Sequence, residues 1–174
     1  MDESAVKRAL MRISHEILER NRGAEDLAII GIRRRGEHIA KRIQQNIELI
    51  EGTPVLYGEL DISLYRDDLT GEEDIIARKA QLPFSIVDKK VVLVDDVLYT
   101  GRTVRAALEA DYSLGRPKLI QLAVLIDRGH RQLPIRADFV GKSIPTSHNE
   151  SIKVKMPPVD DVTGVFITKT DIDA

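Results

Sequence analysis

The sequence predicts an α/β protein with a central, mainly parallel sheet flanked by helices. Three observations carry this reading. Short apolar runs alternate with stretches of helical periodicity. The runs Leu27 to Ile32, Lys90 to Val94 and Leu119 to Ile126 are continuous rather than alternating, as expected of parallel strands covered on both faces. Each run ends in charge: Arg33-Arg34-Arg35, Asp95-Asp96 and Asp127-Arg128. Ligands of such sheets bind beyond the carboxyl ends of the strands, so these three loops are expected to meet at one site.

In chain order, Ser4 to Arg22 reads as a helix. Val6, Leu10, Ile13 and Ile17 make its apolar stripe, Ser4 is the expected N-cap, and Gly23 is the expected stop. Strand Leu27 to Ile32 follows, then the arginine loop. Helix Glu37 to Ile50 is set by Ile39, Ile43 and Ile47, and Gly52-Thr53-Pro54 breaks it. Val55 to Tyr57 is a second strand. Leu60, Ile62 and Leu64 alternate with polar neighbours, the period of a half-exposed strand. Arg66 to Lys79 is polar, acidic at Glu72, Glu73 and Asp74, and expected to be mobile. After strand Lys90 to Val94 comes helix Thr103 to Asp111, ended near Gly115-Arg116-Pro117. Strand Leu119 to Ile126 and short late strands at Phe139 to Gly141 and Val165 to Ile167 complete the list. No repeat, low-complexity tract or linker divides the chain, so residues 1–174 are expected to form a single domain.

Composition narrows the chemistry. Hydrophobic residues are 43% and charged residues 31%, ordinary for a soluble globular protein. With no cysteine, disulfides, thiolate metal sites and cysteine nucleophiles are excluded. No apolar run reaches the roughly 20 residues that span a bilayer, and Met1-Asp2-Glu3-Ser4 has no basic segment of a signal peptide. No membrane association and a cytoplasmic location are expected. The net charge of −2 means that any polyanion site must be a local basic patch.

The most informative stretch is Val91 to Thr103. A buried strand runs into two carboxylates, and Thr100-Gly101-Arg102-Thr103 then opens a helix. Gly101 lets the backbone turn tightly beside an anion. Successive N–H groups at a helix N-terminus, with the threonine hydroxyls, make a phosphate cradle. Carboxylates repel phosphate but accept hydrogen bonds from paired hydroxyls. A ligand with a sugar diol at one end and a phosphate at the other fits both halves. Two adjacent acids at a strand end would otherwise repel each other. Neither a Gly-Lys-Ser/Thr phosphate loop nor a dinucleotide fingerprint is present.

Val91 to Thr103 resembles the 5-phosphoribosyl-1-diphosphate (PRPP) motif of type I phosphoribosyltransferases. The longer string Val94 to Arg105 resembles one branch, the PyrR-type bifunctional pyrimidine operon regulators and uracil phosphoribosyltransferases. So do Arg12 to Glu16, Asp61 to Leu69, Gln121 to Arg131 and Leu133 to Asp138, so that the resemblance covers almost the whole chain. It implies the type I phosphoribosyltransferase fold, with a mobile flap at Tyr65 to Lys79 and a small hood. It implies transfer of phosphoribose from PRPP to uracil, giving UMP and diphosphate, with Mg²⁺ bound mainly through PRPP and no metal site of the protein's own. Asp95 and Asp96 would hold the ribose hydroxyls, and Val97, Leu98, Tyr99, Thr100, Gly101, Arg102 and Thr103 would form the loop around the 5′-phosphate. Arg35 would contact diphosphate, ahead of Arg34, where many members carry Thr; Arg66 in the flap is a second cation. Asp95, Asp96 and Arg35 are the expected catalytic residues. Purine-using relatives usually place a carboxylate at the position of Tyr99, and a phenol is a poor base at neutral pH, which favours a pyrimidine. The base is expected against Ile144-Pro145-Thr146.

The same resemblance implies a second role, UMP-dependent binding of a leader-mRNA stem-loop on a face of a homodimer or higher homo-oligomer. Arg12, His15, Arg20, Arg131 and Arg136 match residues implicated there. At about 100° per residue, Arg8, Arg12 and His15 share one side of the first helix, nearly opposite its apolar stripe. The alternatives are a uracil phosphoribosyltransferase that binds no RNA, and a purine phosphoribosyltransferase.

Overall fold

The computed structural model describes residues 1–65 and 82–169. Five strands form one all-parallel sheet in the order β2-β1-β3-β4-β5: β1 Leu27–Ile32, β2 Leu56–Leu60, β3 Lys90–Leu98, β4 Leu119–Asp127 and β5 Phe139–Ser143. Side chains alternate across the strands. Ile29, Val92, Val94, Ala123 and Leu125 pack with the stripes of α1 (Glu3–Asn21) and α2 (Gly36–Glu51). Ala28, Ile30, Val91, Leu93 and Val124 face the other way, onto Val104, Ala106, Ala107 and Ala110 of α3 (Arg102–Leu114). A separate antiparallel pair, β6 Glu150–Lys155 with β7 Gly164–Lys169, forms the hood. The N-terminus is tied to it, since the Met1 ammonium donates to Val165 O at 2.8 Å.

The chain steps from β1 to one side for β2 and to the other side for β3. The crevice between the β1 and β3 ends is therefore the switch point where open parallel sheets bind ligands.

Several expected boundaries move. The N-cap of α1 is Asp2, not Ser4: the Asp2 carboxylate accepts from Ala5 N–H at 2.8 Å from an extended backbone. The alternation of Leu60, Ile62 and Leu64 does not make a strand. β2 ends at Leu60, opposite the last residue of β1, and Asp61 then accepts from Ser63 N–H at 3.0 Å, turning the chain into a short 3₁₀ helix at Ser63–Tyr65. β3 does not stop at Val94 but carries Asp95 and Asp96 within it to Leu98, because β4 continues to pair with it. α3 runs to Leu114 rather than Asp111. β6 is an addition, a segment of mixed polarity that sequence periodicity did not mark. Of the expected flap Tyr65 to Lys79, all but Tyr65 lies outside the described residues, Arg66 included.

Candidate active site

The carboxyl edge of the sheet gathers the three charged loops. Asp95 is buried, and its Oδ1 accepts from Asp96 N–H at 2.9 Å; Asp96 Oδ1 accepts from Val97 N–H at 2.8 Å. Burial pushes the Asp96 carboxyl above its ordinary range, against the opposing pull of Asp95, the Val97 N–H and the Arg35 charge. After Leu98 only Tyr99, Thr100 and Gly101 precede α3. Gly101, the N-cap, has φ 95°, a left-handed conformation that favours glycine. Arg105 N–H closes the helix onto Gly101 O at 3.0 Å and Arg102 N–H reaches Thr100 Oγ1 at 3.4 Å, leaving the Thr103 and Val104 N–H groups of the first turn for an anion. A cavity of about 310 Å³ lined by Asp95, Leu98, Thr100, Gly101, Arg102 and Thr103 opens there.

The loop between β1 and α2 reaches the acidic pair because of Gly36. A Cβ at this position would lie 2.6 Å from Val94 O and 3.2 Å from Asp95 Cα, so only glycine allows the approach. Arg35 precedes it with φ 73°. Its guanidinium donates to Val154 O of the hood and pairs with Asp160 at 2.9 Å, while its side chain remains 41% exposed. The Met156 N–H, and then Arg35, hold the Asp160 carboxyl below its ordinary range. Arg35 thus links this loop to the hood as well as flanking the acids. Arg34 is exposed, and Arg33 pairs with Glu59 at 3.0 Å.

The turn after β4 braces the loop between β3 and α3. Thr100 O accepts from Gln132 and Leu133 N–H at 2.9 and 3.2 Å, and the Gln132 side chain accepts from Arg102 at 3.0 Å. Arg131 points inward to Asp127 at 2.6 Å, Ile135 O at 2.9 Å and Tyr99 O at 2.9 Å. Burial raises the Asp127 carboxyl, but Arg131 and the Gly129 N–H outweigh it, and the carboxyl lies below its ordinary range. Ile144 N–H donates to Asp127 O at 2.8 Å, which sets the expected base-side segment beside this turn.

Arg128, read from the sequence only as part of the Asp127-Arg128 charge at a strand end, takes a specific bridging position. It is 7% exposed and donates to Thr146 Oγ1 at 2.9 Å and Glu150 O at 2.7 Å, and its guanidinium lies 3.9 Å from the centre of the Tyr99 ring. One side chain therefore ties the Tyr99 loop to the Ile144-Pro145-Thr146 segment and the hood, with a cation–π contact at its centre. The available signal was its place directly after a buried strand beside Asp127.

The basic residues expected to meet RNA do not all share one environment. His15 and Arg136 are exposed. Arg12 is half-exposed, pairs with Glu16 at 2.6 Å and donates to Val140 O and Gly141 O of β5. Arg20 pairs with Asp138 at 3.2 Å and lies over the Phe139 ring. Arg131 belongs to the brace described above.

Residues 2–158 match the model of the phosphoribosyl transferase domain. The bifunctional protein PyrR of Bacillus subtilis (strain 168) is 55% identical over 171 residues, covering 95% of this chain and 94% of that protein. The chain belongs to the PyrR branch of the phosphoribosyltransferases. The PyrR protein of Brevibacillus brevis is 59% identical over 161 residues, 92% of this chain and 90% of that protein. Solved structures agree on the fold that this PyrR-type chain adopts. The hypoxanthine phosphoribosyltransferase of Trypanosoma cruzi in complex with IMP matches with a TM-score of 0.75 at 16% identity, over 99% of this chain and 94% of that one. A hypoxanthine phosphoribosyltransferase from Staphylococcus aureus matches with a TM-score of 0.65 at 25% identity, over 83% of this chain and 76% of that one.

Members of this family generally work with Mg²⁺ and PRPP, and the donor set here suits that ion. Mg²⁺ keeps several waters and takes one or two carboxylates together with substrate phosphates. Among the described residues no three acidic or histidine side chains are grouped to hold an ion, and the Asp95–Asp96 pair meets the smaller demand. No described helix is long and apolar enough to cross a membrane.

Proposed function

We propose that this chain transfers the phosphoribosyl group of PRPP to uracil and couples the UMP-bound state to recognition of a pyrimidine-operon leader RNA. The observation that carries the catalytic half is the acidic pair set against a phosphate loop at the sheet's switch point. Uracil N1 bonds to the anomeric carbon as the bond from that carbon to diphosphate breaks. The electron pair leaves with diphosphate, and the N1 proton is released. Little covalent work falls to the protein, so positioning and charge stabilisation dominate. Asp95 and Asp96 hold the ribose diol, and their negative charge favours the cationic character developing at the ring. The Thr100–Thr103 backbone and hydroxyls hold the 5′-phosphate. Arg35 faces the diphosphate, with Arg34 beside it and Arg66 in the flap as a further cation. The acidic pair would help hold Mg²⁺ together with the diphosphate, and the ion would supply neutralisation of leaving-group charge. Ile144 lies at the base edge, and Tyr99, stacked on Arg128, presents a neutral ring where purine-using relatives usually carry an acid.

The test is a purified-protein assay with PRPP and either uracil or hypoxanthine, with and without Mg²⁺. UMP should form only with the divalent ion, and uracil should react faster. Faster turnover of hypoxanthine would overturn the base assignment.

The regulatory half rests on the exposed face of α1 with Arg12, His15 and Arg20, joined by Arg136 and presented by a homodimer or higher oligomer. Arg131, which braces Tyr99 and Ile135, serves this face through loop position as much as by contact. Replacing Arg12 and Arg136 together by Ala is expected to weaken leader-RNA binding while UMP formation stays near its parent rate. Each lost phosphate contact should reduce the salt slope by about 0.7 to 0.9. UMP should strengthen RNA binding in the parent, and RNA should strengthen UMP binding by the same factor. Unchanged RNA affinity, or a parallel loss of catalysis, would contradict a separate RNA face.

A further inference from the structure

A second cleft lies at the opposite, amino-terminal edge of the sheet. A cavity of about 630 Å³ is bordered by Arg22, Glu25, Lys90, Lys118, Gln121 and Asp138. It continues past Lys118, Leu119 and Ile120 into one of about 490 Å³ beside Arg116. No part of it belongs to the candidate active site.

One largely buried side chain, Gln121, lines it with a donor to spare. Asn21 donates its amide to Ile17 O at 2.8 Å, which fixes its orientation, and also to Gln121 Oε1 at 2.8 Å. Gln121 must therefore present its oxygen to Asn21 and its NH₂ elsewhere. Gln121 is 7% exposed, yet that NH₂ meets no acceptor among the described residues. That NH₂ opens onto the cleft, where a ligand oxygen or water can accept from it.

The surroundings favour an anion. The side chains of Arg22, Arg116 and Lys118 make no hydrogen bond or ion pair among the described residues. Lys90 donates to Asn21 O at 3.1 Å. Of the two carboxylates at the rim, Asp138 is already engaged by Arg20 at 3.2 Å and by Leu122 N–H at 2.9 Å, and Glu25 remains; Asp26, which also feels Lys90 and Lys118, is paired with Lys89 at 2.7 Å. The end of α1 does not oppose this strongly, because Arg22 and Gly23 N–H cap the carbonyls of Glu19 and Leu18.

We propose that this cleft binds a run of phosphate groups, accepting hydrogen bonds from the Gln121 amide and charge from Arg22, Lys118 and Arg116. The phosphates come either from an RNA backbone or from a free nucleotide's phosphate chain. The site stands independently of the catalytic reading.

The test uses ¹⁵N-labelled full-length protein saturated with UMP, titrated with inorganic tripolyphosphate in one arm and a short unstructured oligoribonucleotide in the other. The Gln121 side-chain amide signals should move saturably. Arg22→Ala with Lys118→Ala, both exposed positions, should weaken that response roughly threefold to tenfold per charge, the scale of one charge-assisted contact, and leave UMP formation unchanged. Tighter binding of the oligoribonucleotide assigns the site to RNA, and tighter binding of tripolyphosphate assigns it to a nucleotide. Gln121 signals that ignore both probes, or a response that survives in the double variant, would overturn the proposal.

Discussion

Asp95→Asn and Asp96→Asn are each expected to lower UMP formation at least tenfold, about 1.4 kcal/mol of transition-state stabilisation. The substitution keeps the shape of the side chain and removes a negative charge. An amide still accepts one ribose hydroxyl, but it no longer favours positive charge at the anomeric centre or attracts the cation that travels with diphosphate. Asp95 has a further role, since its Oδ1 accepts from Asp96 N–H at 2.9 Å within β3. Asp96 is oriented in the same way by Val97 N–H at 2.8 Å. An asparagine oxygen keeps these backbone contacts, so the fold should persist and the loss should fall on turnover and PRPP affinity. The measurement is steady-state kinetics with PRPP and uracil, beside a thermal melt of each variant. Parent-like kinetics in both variants would remove the diol assignment.

The second large effect concerns stability. Asp111 on α3 is fully buried, neither carboxylate oxygen has a partner among the described residues, and burial pushes its pKa up to about 7. The ordinary value is 3.8. Between those two values the unfolded chain releases a proton that the folded chain retains. The stabilisation is therefore fully present below about pH 4 and is lost as pH rises through about 7. Asp111→Asn cannot ionise and escapes that loss. Its stability gain over the parent should be roughly 2–3 kcal/mol larger at pH 8 than at pH 5, taking about 1.4 kcal/mol per pKa unit. Urea unfolding of both proteins at the two pH values measures it. A gain independent of pH would mean that Asp111 is ionised throughout, and that its surroundings stabilise the charge.

Asp111 also shows where sequence and tertiary structure part. Helical spacing carried α3 from Thr103 to Asp111 and assigned no surroundings to that carboxylate. In the fold the helix continues to Leu114 and carries Asp111 into the same buried side as Val104, Ala107 and Ala110. Local periodicity cannot report which faces of a helix the sheet will cover.

The sequence by itself determined the alternation of strands and helices, the parallel sheet, the convergence of charge at its carboxyl edge and the phosphate loop. These are local properties: apolar runs demand burial, glycine permits the left-handed turn at position 101, and two adjacent acids ask for a ligand. Only the tertiary structure decided how the loops engage. β3 continues through the acidic pair because β4 offers it a ladder partner. Gly36 matters because Val94 and Asp95 lie against it. Arg131 turns inward to the phosphate loop, and Arg128 stacks on Tyr99 from a buried position. Each of these facts rests on atoms far apart in the chain, and the pattern of neighbouring residues carries no record of which distant carbonyl, ring or carboxylate will lie beside them.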